Sequence, residues 1–150
     1  EMPPWFTKYT KYIRRVQRLP AYPSAYAYVV RGQPRVYFCD AGIRPGLERT
    51  LIHEMAHVWM FDPENKSVAD EFTATFWPQG YSIGTPTTAY AHTNVYEDFA
   101  EAVACFWEDP LKMQKRSPDR FNFILKKVVG YYSLTPVARS KGVDFRAPKL

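Results

Sequence analysis

Cysteine, histidine and glycine are scarce in this chain of 150 residues, which contains two, three and seven of them respectively. The two cysteines, Cys39 and Cys105, lie outside any metal-ligand spacing, which excludes a zinc knuckle. They either form one disulfide or remain two buried thiols, and the sequence does not decide between these alternatives. The chain also has no internal repeat, no low-complexity tract and no apolar run long enough to span a membrane.

Hydrophobic residues, by contrast, make up 46% of the chain. This content is enough for a core, so we expect one compact domain over residues 1–150, with an irregular tail at 133–150. The charge is unevenly distributed: residues 1–47 sum to +6, residues 48–109 to −9 and residues 110–150 to +8. The acidic centre would suit a bound divalent cation, which would offset part of this charge.

The basic flanks raise the question of a nucleic-acid or membrane surface. Lys8, Lys11, Arg15 and Arg18 would share one face of a predicted N-terminal helix. We interpret this face as a solvated surface that also pairs with the acidic centre, because no RNA-binding aromatic signature or recognition helix accompanies it. We therefore expect no nucleic-acid partner, while an attraction to acidic peptides stays open.

The most informative segment is His-Glu-Met-Ala-His at residues 53–57. On a helix, residues four apart lie about 6 Å apart along the axis and nearly on one face, so His53 and His57 can bind the same metal ion. Glu54 emerges beside that ion, where its carboxylate can act on metal-bound water. The alternative is a helix with two ordinary surface histidines and an acid between them.

A helix around this motif is predicted over residues 45–60. Pro45 suits a first-turn position, and Pro63 closes the pattern on the other side. Apolar residues recur at steps of three and four, which predicts a buried stripe. The stripe consists of Leu47, Leu51, Met55, Val58 and Trp59.

A second helix is predicted from Val95 to Trp107, with Asn94 as its N-cap and Glu97 able to return a capping-box hydrogen bond. Glu97 and Glu101 share one face and would repel each other without a nearby cation. We therefore predict that Glu97 is the third metal ligand and that Glu101 holds one ligand histidine through its ring N–H. Asp98 is predicted to be a solvated or capping acid. The alternative is an amphipathic helix with an acidic outer edge. In either case the apolar stripe of the helix is predicted to consist of Phe99, Val103 and Phe106.

The remaining segments complete an α+β fold that is mostly helical, with a small mixed or antiparallel sheet packed on the metal-site helix. The predicted helices and strands are a helix at 4–19, strands at 24–31 and 34–40 joined through Gly32-Gln33, a helix at 67–77 capped by Ser67, and a helix from Ser117 to about Val129. The segment from Gln79 to Ala89 is predicted to be a loop beside the site.

The motifs, taken together, resemble those of a known family. After His53-Glu-Met-Ala-His57 the chain continues with Tyr90-Ala-His-Thr-Asn-Val-Tyr-Glu97-Asp-Phe-Ala-Glu101. This pattern resembles the gluzincin metallopeptidases of the anthrax-lethal-factor-like clan, which also includes secreted Pro-Pro endopeptidases. The resemblance covers roughly residues 45–127. It places Tyr90 on the family's active-site tyrosine, Glu97 on its zinc-binding glutamate and Glu101 on the last residue of its Phe-Ala-Glu motif. His92 stands where the family often has arginine, so the role of that arginine is not carried over.

The expected function is therefore that of a zinc endopeptidase. Zn²⁺ held by His53, His57 and Glu97 would keep a position open for water, and Glu54 would act as general base and then acid. The Tyr90 hydroxyl would stabilise the oxyanion. Strand 34–40 or a neighbour is the candidate edge that aligns a peptide by strand addition.

Two other functions fit the same residues: a catalytically silent zinc-binding or partner-binding domain, and a metallohydrolase acting on a non-peptide amide. We expect a monomer whose partner is a peptide or protein substrate, and no membrane span. The chain begins at Glu1 rather than methionine, which suggests a processed or excised chain. The resemblance implies an extracellular, secreted location.

Overall fold

A computed structural model describes residues 7–17, 26–43 and 45–130 of the chain. The fold is α+β, as predicted: helices dominate, and a three-stranded mixed sheet packs against the helix that carries the His-Glu-Met-Ala-His motif. The strands are β1 (Tyr12–Val16), β2 (Ala27–Val29) and β3 (Arg35–Cys39). The helices are α1 (Leu47–Phe61), α2 (Lys66–Phe76), α3 (Val95–Glu108), α4 (Pro110–Arg116) and α5 (Pro118–Phe123), which continues as a π-helix over Ile124–Val129.

The sheet has the order β1–β3–β2. Strand β3 pairs with β2 in antiparallel register, with Ala27 opposite Phe38, and with β1 in parallel register, with Tyr12 opposite Arg35. The predicted strands at 24–31 and 34–40 are confirmed as a hairpin within the described residues. The edge strand was predicted to be 34–40 or a neighbour. The choice of 34–40 itself is wrong, because β3 is paired on both sides, and its neighbours β1 and β2 are the edges of this sheet.

The predicted helix over residues 4–19 is also wrong over most of its described part, in which Thr7 alone is helical. Residues 12–16 form strand β1, and the predicted basic helical face with Lys8, Lys11 and Arg15 therefore does not exist. The stretch Tyr-Ile-Arg-Arg-Val is rich in aromatic and β-branched residues, and pairing with β3 outweighs its weak helical periodicity. Residues 4–6 and 18–19 of that prediction, including Arg18, lie outside the described residues.

Helices α1 and α3 lie side by side and carry most of the core. From α1, Met55, Val58 and Trp59 are buried as predicted, and the Trp59 ring stacks on Phe99 of α3 with ring centroids 5.4 Å apart. Phe99 in turn meets Phe72 of α2 edge to face at 5.2 Å. This burial of large apolar surface against a common centre fixes the two metal-motif helices relative to each other.

The helix ends differ from the sequence prediction in two places. Helix α1 begins at Leu47 after Gly46, whose φ of 93° is in the left-handed region, so Pro45 precedes the helix and Leu47 is exposed rather than part of the stripe. Helix α2 begins one residue before Ser67, which therefore does not cap it. Asn65 precedes α2 and donates from its side-chain amide to the Trp59 carbonyl, at 2.9 Å.

The predicted helix from Ser117 to Val129 is confirmed, with its last six residues wound as a π-helix. The predicted tail at 133–150 lies outside the described residues. Cys39 is buried on β3 and Cys105 is partly buried on α3, and both are free thiols. Among the described residues, no helix combines the length and the apolar content that crossing a membrane requires.

Candidate metal centre

Three buried side chains of the motif line one side of α1. His53, Glu54 and His57 are 9%, 8% and 8% exposed, respectively. The helical spacing places His53 and His57 one turn apart, and α3 packs across them. Two surface histidines flanking an acid, the alternative interpretation of the motif, would be solvated, so burial argues against it.

Helix α3 supplies the carboxylates that face these histidines. Asn94 caps the helix, accepting hydrogen bonds at its side-chain oxygen from the backbone N–H groups of Tyr96 and Glu97, both at 3.0 Å. Asn94 therefore fixes the first turn of α3, from which the Glu97 side chain projects. The Glu97 carboxylate faces His53 and His57.

We predict that Asn94→Ala destabilises the protein by about 1 kcal/mol, because two N–H groups at the start of α3 lose their acceptor. Urea denaturation followed by circular dichroism measures this change. Asn94→Asp keeps an acceptor oxygen at the same place and should retain most of the stability. If the alanine and aspartate variants unfolded at the same urea concentration, this cap would not be what stabilises the first turn.

The three proposed ligand atoms lie close together in space. His53 Nε2 is 3.0 Å from Glu97 Oε2, His57 Nε2 is 3.2 Å from His53 Nε2, and His57 Nε2 is 3.4 Å from Glu97 Oε2. Metal bonds of 2.0–2.1 Å at a tetrahedral angle place neighbouring ligand atoms about 3.3 Å apart. The group His53, His57 and Glu97 therefore has the spacing of three corners of a tetrahedron and could hold a metal ion.

Glu101 lies one helical turn beyond Glu97 and contacts His53 from the other side. Its Oε1 is 2.9 Å from His53 Nδ1, so the tautomer that donates from Nδ1 leaves the Nε2 lone pair directed at the metal position. Arg49, one turn before His53 on α1, holds both oxygens of Glu101 at 3.2 and 2.8 Å. It also donates from Nε to Glu108 at 3.1 Å.

The second histidine is held differently. His57 Nδ1 is buried and has no hydrogen-bond partner among residues 7–17, 26–43 and 45–130. Its ring instead packs against Phe61, with centroids 6.0 Å apart and planes 12° from parallel. One imidazole is thus oriented by a hydrogen bond and the other by packing.

The charges of this cluster are strongly coupled. Burial by itself would raise the pKa of Glu97 and of Glu101. Hydrogen bonds from His53 and His57 outweigh this effect at Glu97 and lower its pKa to about 2. Hydrogen bonds from His53 and Arg49 do the same at Glu101, whose pKa is also lowered to about 2. Burial lowers the pKa of His53, but hydrogen bonds to Glu101 and Glu97 outweigh it and raise the value to about 9. Without a metal, a proton on His53 therefore supplies positive charge between two carboxylates.

Glu54 and Tyr90 flank the same group. Burial raises the pKa of the Glu54 carboxyl group above its ordinary value, and the nearby His57 and His53 oppose this shift. Tyr90 lies in a 3₁₀ turn at Tyr90–His92, with its ring 6.2 Å from that of His53, and burial followed by repulsion from Glu97 raises the pKa of its hydroxyl. Tyr90 is 55% exposed, so it borders the open side of the site. His92 is exposed as well.

Asp98 does not lie where the sequence predicted. It is fully buried, and its two oxygens accept from Nε and Nη2 of Arg120 on α5, at 2.7 and 2.6 Å. Trp77 also donates a hydrogen bond from its indole N–H to Asp98, at 2.7 Å. Arg120 donates further hydrogen bonds to the Ser82 hydroxyl and to the Ile83 carbonyl in the loop at 79–89. The helix position of Asp98, one residue after Glu97, points it away from the metal group and into the core. Local spacing carried no signal for its partner, which lies 22 residues away.

Comparison with known proteins adds no family to this picture. No protein-family model matches the chain, and no curated protein matches it either. The interpretation of the site therefore rests on the positions and contacts of its own residues.

Proposed function

We propose that this protein is a zinc-dependent endopeptidase of the gluzincin type. The observation that carries the proposal is the spacing of His53, His57 and Glu97, whose ligand atoms lie 3.0 to 3.4 Å apart, with buried Glu54 on the same helix. Two imidazoles and one carboxylate are a common ligand set of catalytic zinc sites, which keep their fourth position open. A metal held there supplies a Lewis acid that polarises a peptide carbonyl and lowers the pKa of water.

The protein's own residues then perform the proton transfers. Glu54 accepts a proton from the attacking water and delivers it to the leaving nitrogen, a role that its burial and raised pKa support. Tyr90 lies on the open side of the site, and its hydroxyl group donates a hydrogen bond to the peptide carbonyl oxygen, which becomes negatively charged during the attack. Glu101 and Arg49 hold His53 in the tautomer that keeps Nε2 unprotonated.

Strand β2 is the best candidate for aligning the peptide. It is an edge strand of the described sheet, and it packs directly on α1, which carries the histidines. A peptide that adds to a sheet edge is held by backbone hydrogen bonds whatever its sequence. Such binding presents the backbone of the substrate in an extended form.

A catalytically silent metal-binding domain is the second candidate. Its ligands would be the same three residues, and an acidic residue beside the metal would have no task. The buried position of Glu54 favours the enzyme, because burying a carboxyl group costs folding free energy and such buried acids are concentrated at catalytic sites. A hydrolase that acts on a non-peptide amide would use the same groups and differ only in substrate.

One experiment separates these functions. Zinc content is measured by mass spectrometry, and cleavage of a diverse peptide library is compared for native protein, Glu54→Gln and the exposed control Glu48→Gln, also on α1. We expect one zinc per chain in all three proteins and a loss of about 10²- to 10⁴-fold in cleavage rate for Glu54→Gln alone, because only this variant lacks the general base. Zinc in every protein with no peptide cleaved by any of them would contradict peptidase activity.

A further inference from the structure

A fixed positive charge lies beside the histidine face of the site. The Arg31 guanidinium, just after β2, lies 5.5 Å above the centre of the Phe61 ring, which itself packs on His57. Tyr96 of α3 also packs against Phe61, with centroids 5.2 Å apart. The contact between cation and ring therefore holds an otherwise flexible side chain at the edge of the metal centre.

Several basic residues around the site have an acidic partner, whereas Arg31 has none among the described residues. Lys8, Arg49 and Arg120 each form an ion pair with a carboxylate. Arg31 is exposed and forms none within residues 7–17, 26–43 and 45–130. A guanidinium that lies over an aromatic ring keeps N–H groups available at its rim, where they match the two oxygens of a carboxylate.

A second basic residue without an ion-pair partner among the described residues, Lys11, lines a cavity together with Phe61. A cavity of about 210 Å³ separates the turn at Gly32–Pro34 from the end of α1, and both Phe61 and Lys11 line it. Lys11 likewise forms no ion pair with a described residue. The acidic residues that also line the cavity, Asp62 and Glu64, lie at the α1 end, and Glu64 is already paired with Lys8.

We propose that Arg31, assisted by Lys11, selects peptides that carry an acidic side chain near the cleaved bond. The inference rests on the proposed peptidase function and adds its substrate class. The Arg31 guanidinium is 5.5 Å from the centre of the Phe61 ring, which is 6.0 Å from the centre of the His57 ring. Arg31 therefore lies within about 12 Å of the His57 ring. An extended peptide rises about 3.3 Å per residue, so the acidic side chain lies within about four residues of the cleaved bond. A peptide added to β2 would run towards Arg31, which follows that strand by two residues.

A simpler role for Arg31 also exists, namely stabilisation of the C-terminal end of α1 by its positive charge. That role affects all substrates equally. Selection of an acidic side chain affects only peptides that carry one, and the preference changes sign when the charge of residue 31 changes sign. A charge-reversal experiment therefore distinguishes the two roles.

The test uses zinc-loaded protein and a cleavable peptide in which single Glu, Gln or Lys residues are placed at each of four positions on both sides of the cleaved bond. At one or more positions we expect native protein to prefer Glu over Gln by about fivefold in kcat/KM, the size of an exposed charge pair. Arg31→Glu should prefer Lys there instead. Lys126→Glu, which makes the same change of net charge on the π-helix, should retain the native preference. Both preferences should weaken at 1 M salt, where the screening length is about 3 Å.

Binding of the same peptides to Glu54→Gln protein, measured by fluorescence anisotropy, separates the inference from the proposed function. If no peptide is cleaved but acidic peptides bind better to Glu54→Gln and this preference is lost in Glu54→Gln/Arg31→Glu, peptidase activity is contradicted and acidic recognition stands. Equal rates and equal binding for Glu and Gln peptides at every position would overturn the inference. An equal loss for all peptides in Arg31→Glu would also overturn it, because that result identifies a structural role.

Discussion

Glu97→Ala is expected to abolish stoichiometric zinc binding, whereas Glu108→Ala, on the same helix, is expected to retain it. Glu97 Oε2 lies 3.0 and 3.4 Å from the Nε2 atoms of His53 and His57 and completes the ligand group. Glu108 is exposed, and its carboxylate forms an ion pair with Arg49. Losing a direct ligand should cost more than the roughly 10- to 100-fold in affinity that the loss of a residue behind a ligand costs. Competition with a zinc-binding chromophoric chelator measures the zinc affinities of the native protein and of the two variants.

Glu101→Ala provides the intermediate case of the same series. It removes the acceptor 2.9 Å from His53 Nδ1 and leaves the three ligands in place, so we expect about a 10- to 100-fold loss of zinc affinity. The expected order of loss is Glu97→Ala, then Glu101→Ala, then Glu108→Ala. Equal affinities for the Glu97→Ala and native proteins would show that Glu97 is not a ligand, and a dominant effect of Glu108→Ala would mean that a different face of α3 binds the metal.

The site could be predicted from sequence to the extent that it depends on helical spacing. His53 and His57 are four residues apart within one helix, and Glu97 and Glu101 are four apart within another, so each pair had to share a face. That these two faces oppose each other follows from the apolar stripes, since Trp59 and Phe99 stack across the same interface. The repulsion expected between Glu97 and Glu101 pointed to a cation near both.

Residues whose partners are distant in the chain could not be predicted in the same way. Asp98 looked like a solvated acid because its partner, Arg120, lies on α5 and no local pattern connects the two. The role of Arg49 towards Glu101 was missed for the same reason, as the two residues are 52 positions apart. A charged residue directly before an aromatic residue of the apolar stripe, as Asp98 is before Phe99, is the one signal that could have indicated a buried ion pair.

The prediction of a helix at residues 4–19 was wrong for a related reason. The segment containing Tyr12, Ile13 and Val16 has apolar residues at spacings that suit a helix, and only its pairing with β3 decides in favour of a strand. Such pairing is a tertiary contact, and it outweighs local preferences of a few tenths of a kcal/mol per residue. The position of β3 in the middle of the sheet depends on the same pairing, which is why it was mistaken for an edge.

Arg120→Met is expected to destabilise the protein by about 3 to 5 kcal/mol, one of the largest effects of any single substitution in the chain. Arg120 and Asp98 are 1% and 0% exposed, so removing the guanidinium leaves a buried carboxylate with only the Trp77 indole and the Ser82 hydroxyl as hydrogen-bonding neighbours. Ser82 and the Ile83 carbonyl lose a donor as well. Urea denaturation of the metal-free protein measures the change without a contribution from bound zinc.

The double variant Asp98→Leu/Arg120→Met distinguishes an unpaired charge from lost packing. Once both charges are removed, the desolvation cost disappears with them, so the double variant should be more stable than Arg120→Met alone, although Trp77 and the Ile83 carbonyl still lack partners. Arg116→Met, at an exposed arginine on α4, should change stability by no more than about 0.5 kcal/mol. A double variant as unstable as Arg120→Met would mean that the hydrogen bonds to the loop at 79–89, rather than the buried charge of Asp98, determine the loss. Because Asp98 follows Glu97 directly, hydrogen exchange at residues 77–85 and 95–101 would then show whether the loop loosens without the metal-ligand turn.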